Sequence, residues 1–172
     1  MAENRVVLIT GASSGFGRET ARILLGRGFK VYGTSRNPSA KPQEPGVGMI
    51  ALDVDSDNSV QSGVKELLEE TARLDVLVNK AGYVLTGGAE ETSIAEAKAQ
   101  FETDFFGHVR MTKAVQPTMR KQGSGQIINI SSMAAFLPVP FEGYYAAAKA
   151  ALLAWSEALG MRSRASASRS PS

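Results

Sequence analysis

The segment Tyr145-Ala146-Ala147-Ala148-Lys149 sets a phenol four residues ahead of an ammonium. On a helix, that spacing brings both side chains to one face. A free phenol, with a pKa of about 10, is a poor base near neutral pH. An ammonium within a few ångströms favours the phenolate. The pair therefore suits a tyrosine that exchanges a proton with an oxygen whose charge changes during a reaction. Ser132, a little upstream, offers a hydroxyl that can hydrogen-bond the same oxygen. Tyr144 is the rival phenol, but its partner four residues on is Ala148. Each residue also has a plain structural reading: Tyr145 as a helix-surface tyrosine, Lys149 as a solvated charge and Ser132 as a cap.

A second cluster lies near the start, in Thr10-Gly11-Ala12-Ser13-Ser14-Gly15-Phe16-Gly17, directly after the apolar run Val6-Val7-Leu8-Ile9. Gly11 permits a tight turn off a strand, Gly15 lets backbone approach a diphosphate, and Gly17 allows close helix–strand packing. The helix that follows presents free N–H groups to negative charge. The spacing is one residue longer than the common dinucleotide fingerprint, and a structural turn is the plain alternative. Where an NAD site carries an acidic residue, the next strand ends in Ser35 and Arg36. An arginine suits a 2′-phosphate, so NADP(H) is favoured over NAD(H); otherwise Arg36 is a solvated surface arginine.

The elements that must position these groups alternate. Strands are expected at Arg5–Thr10, Lys30–Thr34, Gly48–Val54, Leu74–Asn79 and Gln126–Ser131. Helices are expected at Gly15–Arg27 (through Phe16, Ala21, Ile23 and Leu24), from a cap at Asp55 or Ser56 to Thr71, at Ser93–Gln122 and at Gly143–Gly160. Pro38, Pro42 and Pro45 mark Asn37–Gly46 as a loop. Continuous apolar strands separated by helices imply an α/β fold, a parallel sheet covered on both faces. From Arg162 the composition turns to arginine, serine and alanine, so residues 162–172 are expected to form a disordered tail behind a single domain over 1–161.

Composition narrows the chemistry. The chain has 172 residues and no cysteine, which excludes disulfides, thiolate catalysis and thiolate metal ligands. His108 is the only histidine, so no histidine-rich metal site is expected; an interface or surface position is the expectation for it. A net charge of +2 gives no reason to propose nucleic acid. No apolar run reaches the length of a membrane span, and Met1–Arg5 lacks a signal-peptide core, so a cytoplasmic location and no membrane partner are expected.

Taken in order, the glycine turn, Asp53-Val54, Asn79-Lys80-Ala81-Gly82, Ser132 and Tyr145-x-x-x-Lys149 resemble the short-chain dehydrogenase/reductase family over about Val6 to Met161. The resemblance implies a Rossmann-type doubly wound sheet in the order 3-2-1-4-5-6-7. It also implies an oxidoreductase that moves a hydride between a nicotinamide cofactor and a carbonyl or secondary alcohol, with Ser132, Tyr145 and Lys149 as the catalytic set. Asp53, with Val54 beside it, would contact the adenine. Asn79, Ala81 and Gly82 would lie along the adenosine half. Ser13, Ser14 and Phe16 belong to the phosphate turn, and Tyr145 and Lys149 would also hold the nicotinamide ribose. The family's helix interface implies a homo-oligomer through Glu96–Gln122 and Gly143–Gly160.

Three features depart from the family. Asp104 stands where an asparagine supports a proton relay to the lysine. An ionised Asp104 would attract the lysine ammonium and leave the tyrosine more protonated, giving a slower enzyme with a more alkaline optimum. Lys80 replaces the second of two asparagines; turned to solvent it costs little, but it puts the contact between strands four and five in question. The sequence also ends before the family's sixth and seventh strands, so the expectation is a C-terminally truncated member whose fifth strand is an apolar edge open to pairing. The runner-up readings are a non-catalytic nucleotide-binding module and an inactive remnant. Met133, Phe136, Leu137, Val139 and Phe141 give an apolar wall suited to a hydrophobic carbonyl, or simply to packing.

Overall fold

The computed structural model describes residues 5–40 and 44–167, with side chains through residue 160. The chain forms two compact units. The first takes the chain up to Gly82 together with Phe106–Ile130, and the second takes Tyr83–Phe105 and the chain from Ser131 on.

The first unit is a five-stranded parallel sheet of β1 (Val6–Ile9), β2 (Lys30–Ser35), β3 (Gly48–Ala51), β4 (Val76–Asn79) and β5 (Gln126–Asn129), in the order β3-β2-β1-β4-β5. Successive strand residues point to opposite faces, and the two faces carry separate cores. Val6, Leu8 and Leu77 pack with Val60, Val64 and Leu67 of α2 (Asp57–Thr71) and with Met111, Val115 and Met119 of α4 (Gly107–Gln122). Val7, Ile9, Val31, Val76 and Val78 pack with Ala21 of α1 (Gly15–Gly26). Burial on both faces is why these strands read as unbroken apolar runs. Ser56 caps α2 by accepting from the Ser59 amide, which settles the choice of cap. Lys41–Gln43 of the expected loop lie outside the described residues.

Several expectations need correction. Phe16 is 86% exposed and Ile23 also faces out, so α1 buries Ala21, with Leu24 and Leu25 alongside, rather than Phe16. Phe16 falls in the first turn of α1, where its neighbour Gly17 is the residue packed against Gly11 and Ala12. His108 is buried in the first unit, not at a surface. It shares one face of α4 with Met111, Thr112, Val115 and Met119, and that face covers the sheet. The expected single helix over Ser93–Gln122 is α3 (Ile94–Phe101), a π-helical stretch (Glu102–Phe106) and α4. A π turn inserts a residue and shifts the face presented after it, which periodicity of 3.6 does not encode.

In the second unit, α3 opens on a full capping box, with Ser93 and Glu96 each satisfying the other's amide. The last helix, α5, runs over Gly143–Ala167 instead of stopping at Gly160. Residues 168–172 lie outside the described residues.

Asn79 joins three elements of the first unit. Its Nδ2 donates to Asn129 Oδ1 at 2.9 Å, and lies 3.3 Å from both the His108 carbonyl and Thr112 Oγ1. The contact between β4 and β5, doubtful on account of Lys80, is intact, with Asn79 opposite Asn129 in register. Lys80 is half-buried and uses its backbone N–H on Thr10 Oγ1. As expected, β5 is an edge strand among the described residues, with Ile128 in it and Ile130 just past it exposed. Asn79→Ala removes a buried donor from several acceptors and should cost about 1–3 kcal/mol in urea unfolding, whereas Lys80→Ala should stay within about 0.5 kcal/mol.

Candidate active site

Most of the residues expected to meet the nucleotide lie in the first unit. The turn leaves β1 at Thr10, whose Oγ1 accepts from the amides of Lys80 and Ala81, both at 2.9 Å. This ties the glycine turn to the Asn79–Gly82 segment. Gly11 has φ +68°, and a Cβ there would sit 3.1 Å from the Ala81 Cα. A Cβ on Gly17 would sit 2.5 Å from the Gly11 carbonyl oxygen, so only glycine lets α1 start this close to the turn. Gly15, at φ +53°, faces open space. Ser14 occupies the N-cap of α1 but makes no side-chain cap bond. The first amides of α1 are therefore left without a side-chain cap, beside a glycine with room in front of it. These residues fit a diphosphate, whose oxygens would accept from those amides.

The other residues of the first unit expected to meet the nucleotide have mixed surroundings. Arg36 is exposed just past β2, and Ser35 Oγ accepts from the Asn37 amide at 3.3 Å. Asp53 is half-buried, its N–H donates to Ser59 Oγ at 2.9 Å and its Oδ1 accepts from the Asp55 amide at 3.1 Å. Val54 is buried against Gly107, where a Cβ would come within 2.9 Å of Val54 Cγ2. The Asn79 side chain is fully buried and hydrogen-bonded within the fold, Ala81 is partly buried against the core, and Gly82 is exposed.

The second unit gathers Ser132, Tyr145, Lys149 and Asp104. Tyr145 and Lys149 share a face of α5, and the Lys149 Nζ lies 5.8 Å from the centre of the Tyr145 ring. Lys149 is only 4% exposed. Its Nζ is 2.8 Å from Oδ1 of Asp104, itself fully buried in the π-helical turn. Burial pushes the Asp104 carboxyl above the ordinary carboxylate range, against the pull of Lys149 and of the Tyr83 and Gln100 N–H groups. Ser132 Oγ accepts from the Ala134 amide at 3.1 Å, capping a short 3-10 turn. Its own O–H remains able to donate. Ser131 Oγ donates to the Lys149 carbonyl at 3.1 Å, linking the serine turn to α5.

Sequence reasoning missed Gln100 and Ser131. Gln100 is fully buried and hydrogen-bonded to Asp104, and its signal was the spacing of four from that residue. Ser131 is adjacent to Ser132, with no independent signal.

The short chain dehydrogenase family profile matches residues 5–166. This chain belongs to the short-chain dehydrogenase family. The 3-ketodihydrosphingosine reductase of Bacteroides thetaiotaomicron is 45% identical over 157 residues, covering 91% of this chain and 58% of that protein. The chain thus spans a little over half the length of this curated relative. Among solved structures, ElxO with NADP bound matches at TM-score 0.80 and 29% identity, covering 88% of this chain and 64% of the other. The 3-ketoacyl-(acyl-carrier-protein) reductase from Brucella melitensis, complexed with NADH, matches at TM-score 0.87 and 26% identity, covering 94% and 71%. Family members therefore bind nicotinamide cofactors of both kinds. Among the described residues no helix is long and apolar enough to cross a membrane.

The Asp104–Lys149 pair of this short-chain dehydrogenase can be probed through stability. Lys149→Met leaves a buried carboxylate without its counter-charge and should cost about 3–5 kcal/mol at neutral pH. In that variant the folded-state pKa of Asp104 lies above its unfolded value. Its stability is thus fully present below the ordinary aspartate pKa and is lost as pH rises through the raised one. Urea unfolding in acid should narrow the deficit, and adding Asp104→Asn should recover most of it at neutral pH.

Proposed function

We propose that the chain is an oxidoreductase that transfers a hydride between NADP(H) and a carbonyl or secondary alcohol, with Tyr145 as the acid/base. The observation that carries this reading is the Lys149 ammonium, buried and set over the Tyr145 ring on one face of α5. The nicotinamide cofactor, when bound, supplies or accepts the hydride. Gly11, Ser13, Ser14, Gly15, Phe16 and Gly17 would hold its diphosphate, and Asp53, Val54, Ala81 and Gly82 its adenosine side. Arg36, with Ser35, would meet a 2′-phosphate, which favours NADP(H).

The chain's own residues manage the proton. In the reducing direction Tyr145 donates to the oxygen that becomes the alcohol, while the Ser132 O–H hydrogen-bonds that oxygen. The positive charge of Lys149 stabilises the tyrosinate left behind. Asp104 opposes this, since at 2.8 Å it offsets the ammonium before the phenolate can use it. A slow catalyst follows, and Asp104→Asn should raise kcat. The same ion pair favours a second reading, a nucleotide-binding module with no turnover.

The substrate is proposed to be a long-chain ketone. The name of the Bacteroides relative supports this, as do the exposed side chains of Met133, Phe136, Leu137, Val139 and Phe141, which follow Ser132 directly. A homo-oligomer and a cytoplasmic location are the accompanying proposals, the first resting on the helices expected to form its interface.

Titration with NADPH and NADH, read by cofactor fluorescence and melting temperature, followed by turnover of a long-chain ketone, tests the reading. Tyr145→Phe should lower kcat by at least about 100-fold while NADPH still binds. Arg36→Ala should weaken NADPH about 10- to 100-fold and leave NADH nearly unchanged. Tight NADPH binding with no turnover of any ketone would favour the module. No binding of either cofactor would refute both readings.

A further inference from the structure

Gln100 lies in α3, four residues before Asp104, and is fully buried. All its polar atoms are used. Its Nε2 donates to the Tyr83 carbonyl at 3.0 Å and to Oδ2 of Asp104, and its Oε1 accepts from the Leu85 amide at 2.7 Å. Oδ2 of Asp104 takes a second N–H, from Tyr83 at 3.2 Å. Oδ1 faces Lys149 at 2.8 Å.

The two carboxylate oxygens are thus not equivalent. Oδ2 meets two N–H groups that can only donate, so a proton on Oδ2 would point at hydrogens. The Lys149 ammonium offers Oδ1 only donors as well, so the proton the pair shares lies between Oδ1 and Nζ, as carboxylate with ammonium or as carboxylic acid with amine. Turning the carboxylate would strip acceptors from the Gln100 and Tyr83 N–H groups in a site without exposed surface, at full desolvation cost.

We propose that Gln100 is a positioning residue of this site: by holding Oδ2 of Asp104 and the Tyr83–Leu85 backbone in one network, it commits Oδ1, with the proton that oxygen can carry, to Lys149. Its influence on chemistry rests on Tyr145 and Lys149 being the reacting pair. Leucine at position 100 would forfeit every bond in the network. Glutamate would keep the length and the acceptor for Leu85 but set a carboxylate against Oδ2. Lys149 faces Asp104 at 2.8 Å, and Tyr145 lies on the other side of the lysine, with its ring centre 5.8 Å from Nζ.

The test follows the Asp104 side-chain carboxyl directly, by carbon NMR of aspartate-labelled protein, with the resonance assigned by its loss in Asp104→Asn. Gln100→Leu removes a donor to the charged form and should move the Asp104 titration upward by about half a pH unit or more. Gln100→Glu should move it further up, through like-charge repulsion. The alkaline shift should reappear in the pH profile of kcat for NADPH-dependent ketone reduction, with the ketone KM unchanged. A merely structural glutamine would lower the melting temperature and leave the titration in place. An unmoved Asp104 resonance in either folded variant overturns the proposal, and Gln100→Glu supplies the result where Gln100→Leu does not fold. The shifted titration without turnover by the unsubstituted protein would refute the catalytic reading and leave the positioning by Gln100 standing.

Discussion

Parallel pairing is the constraint on which the rest of this molecule depends. Because β1 to β5 all run the same way, their carboxyl ends collect along one edge of the sheet. The chain leaves that edge into the glycine turn after β1, into Ser35 and Arg36 at the end of β2, into Asp53 after β3 and into Asn79–Gly82 from β4. After β5 it runs on into Ser131 and Ser132. Thr10 and Asn79 then fix this edge from within, one tying the first turn to the fourth and the other tying β4 to α4 and β5. Both are polar residues buried inside an apolar sheet, where a satisfied hydrogen bond in a low dielectric is strong and an unsatisfied one is costly.

The second unit turns on a buried charge. An ammonium taken out of water must find a counter-charge or lose its proton, and Lys149 finds Asp104. That pair does not by itself argue for stability, because desolvation can offset the attraction. It does argue for definition. The carboxylate is held on one side by Gln100 and Tyr83 and on the other by the lysine, and the π-helical turn carries Asp104 into this position. Family members with asparagine there would present a neutral amide to the same lysine. Under the proposed function, the residue that helps to hold the lysine also draws on the charge that the tyrosine would need.

Much of this was legible in advance. The strands appeared as apolar runs, α2 from its 3.6 spacing with Asp55 and Ser56 both open as its cap, and the glycine turn from its place between strand and helix. The i, i+4 spacing of Tyr145 and Lys149 was enough to put them on one face of α5. Other features were not legible. Phe16 looks like a core residue until the helix is seen to begin beyond the sheet. His108 could have been placed inside by the apolar face it shares with Met111 and Val115, had the π turn before it been known. Gln100 stands four residues ahead of Asp104, but nothing local says that its amide also meets the Tyr83–Leu85 backbone.

The sequence alone determined the periodicities, the order of the elements and the two reactive spacings, because these depend on residues a few positions apart and on one helix or strand geometry. Only the tertiary structure decided which charges are buried, which oxygen of Asp104 meets Lys149, and that the Asn79 side chain bonds within the fold while Gly82 is exposed. Those outcomes depend on groups distant along the chain, and on whether burial removes the water that would otherwise have satisfied them.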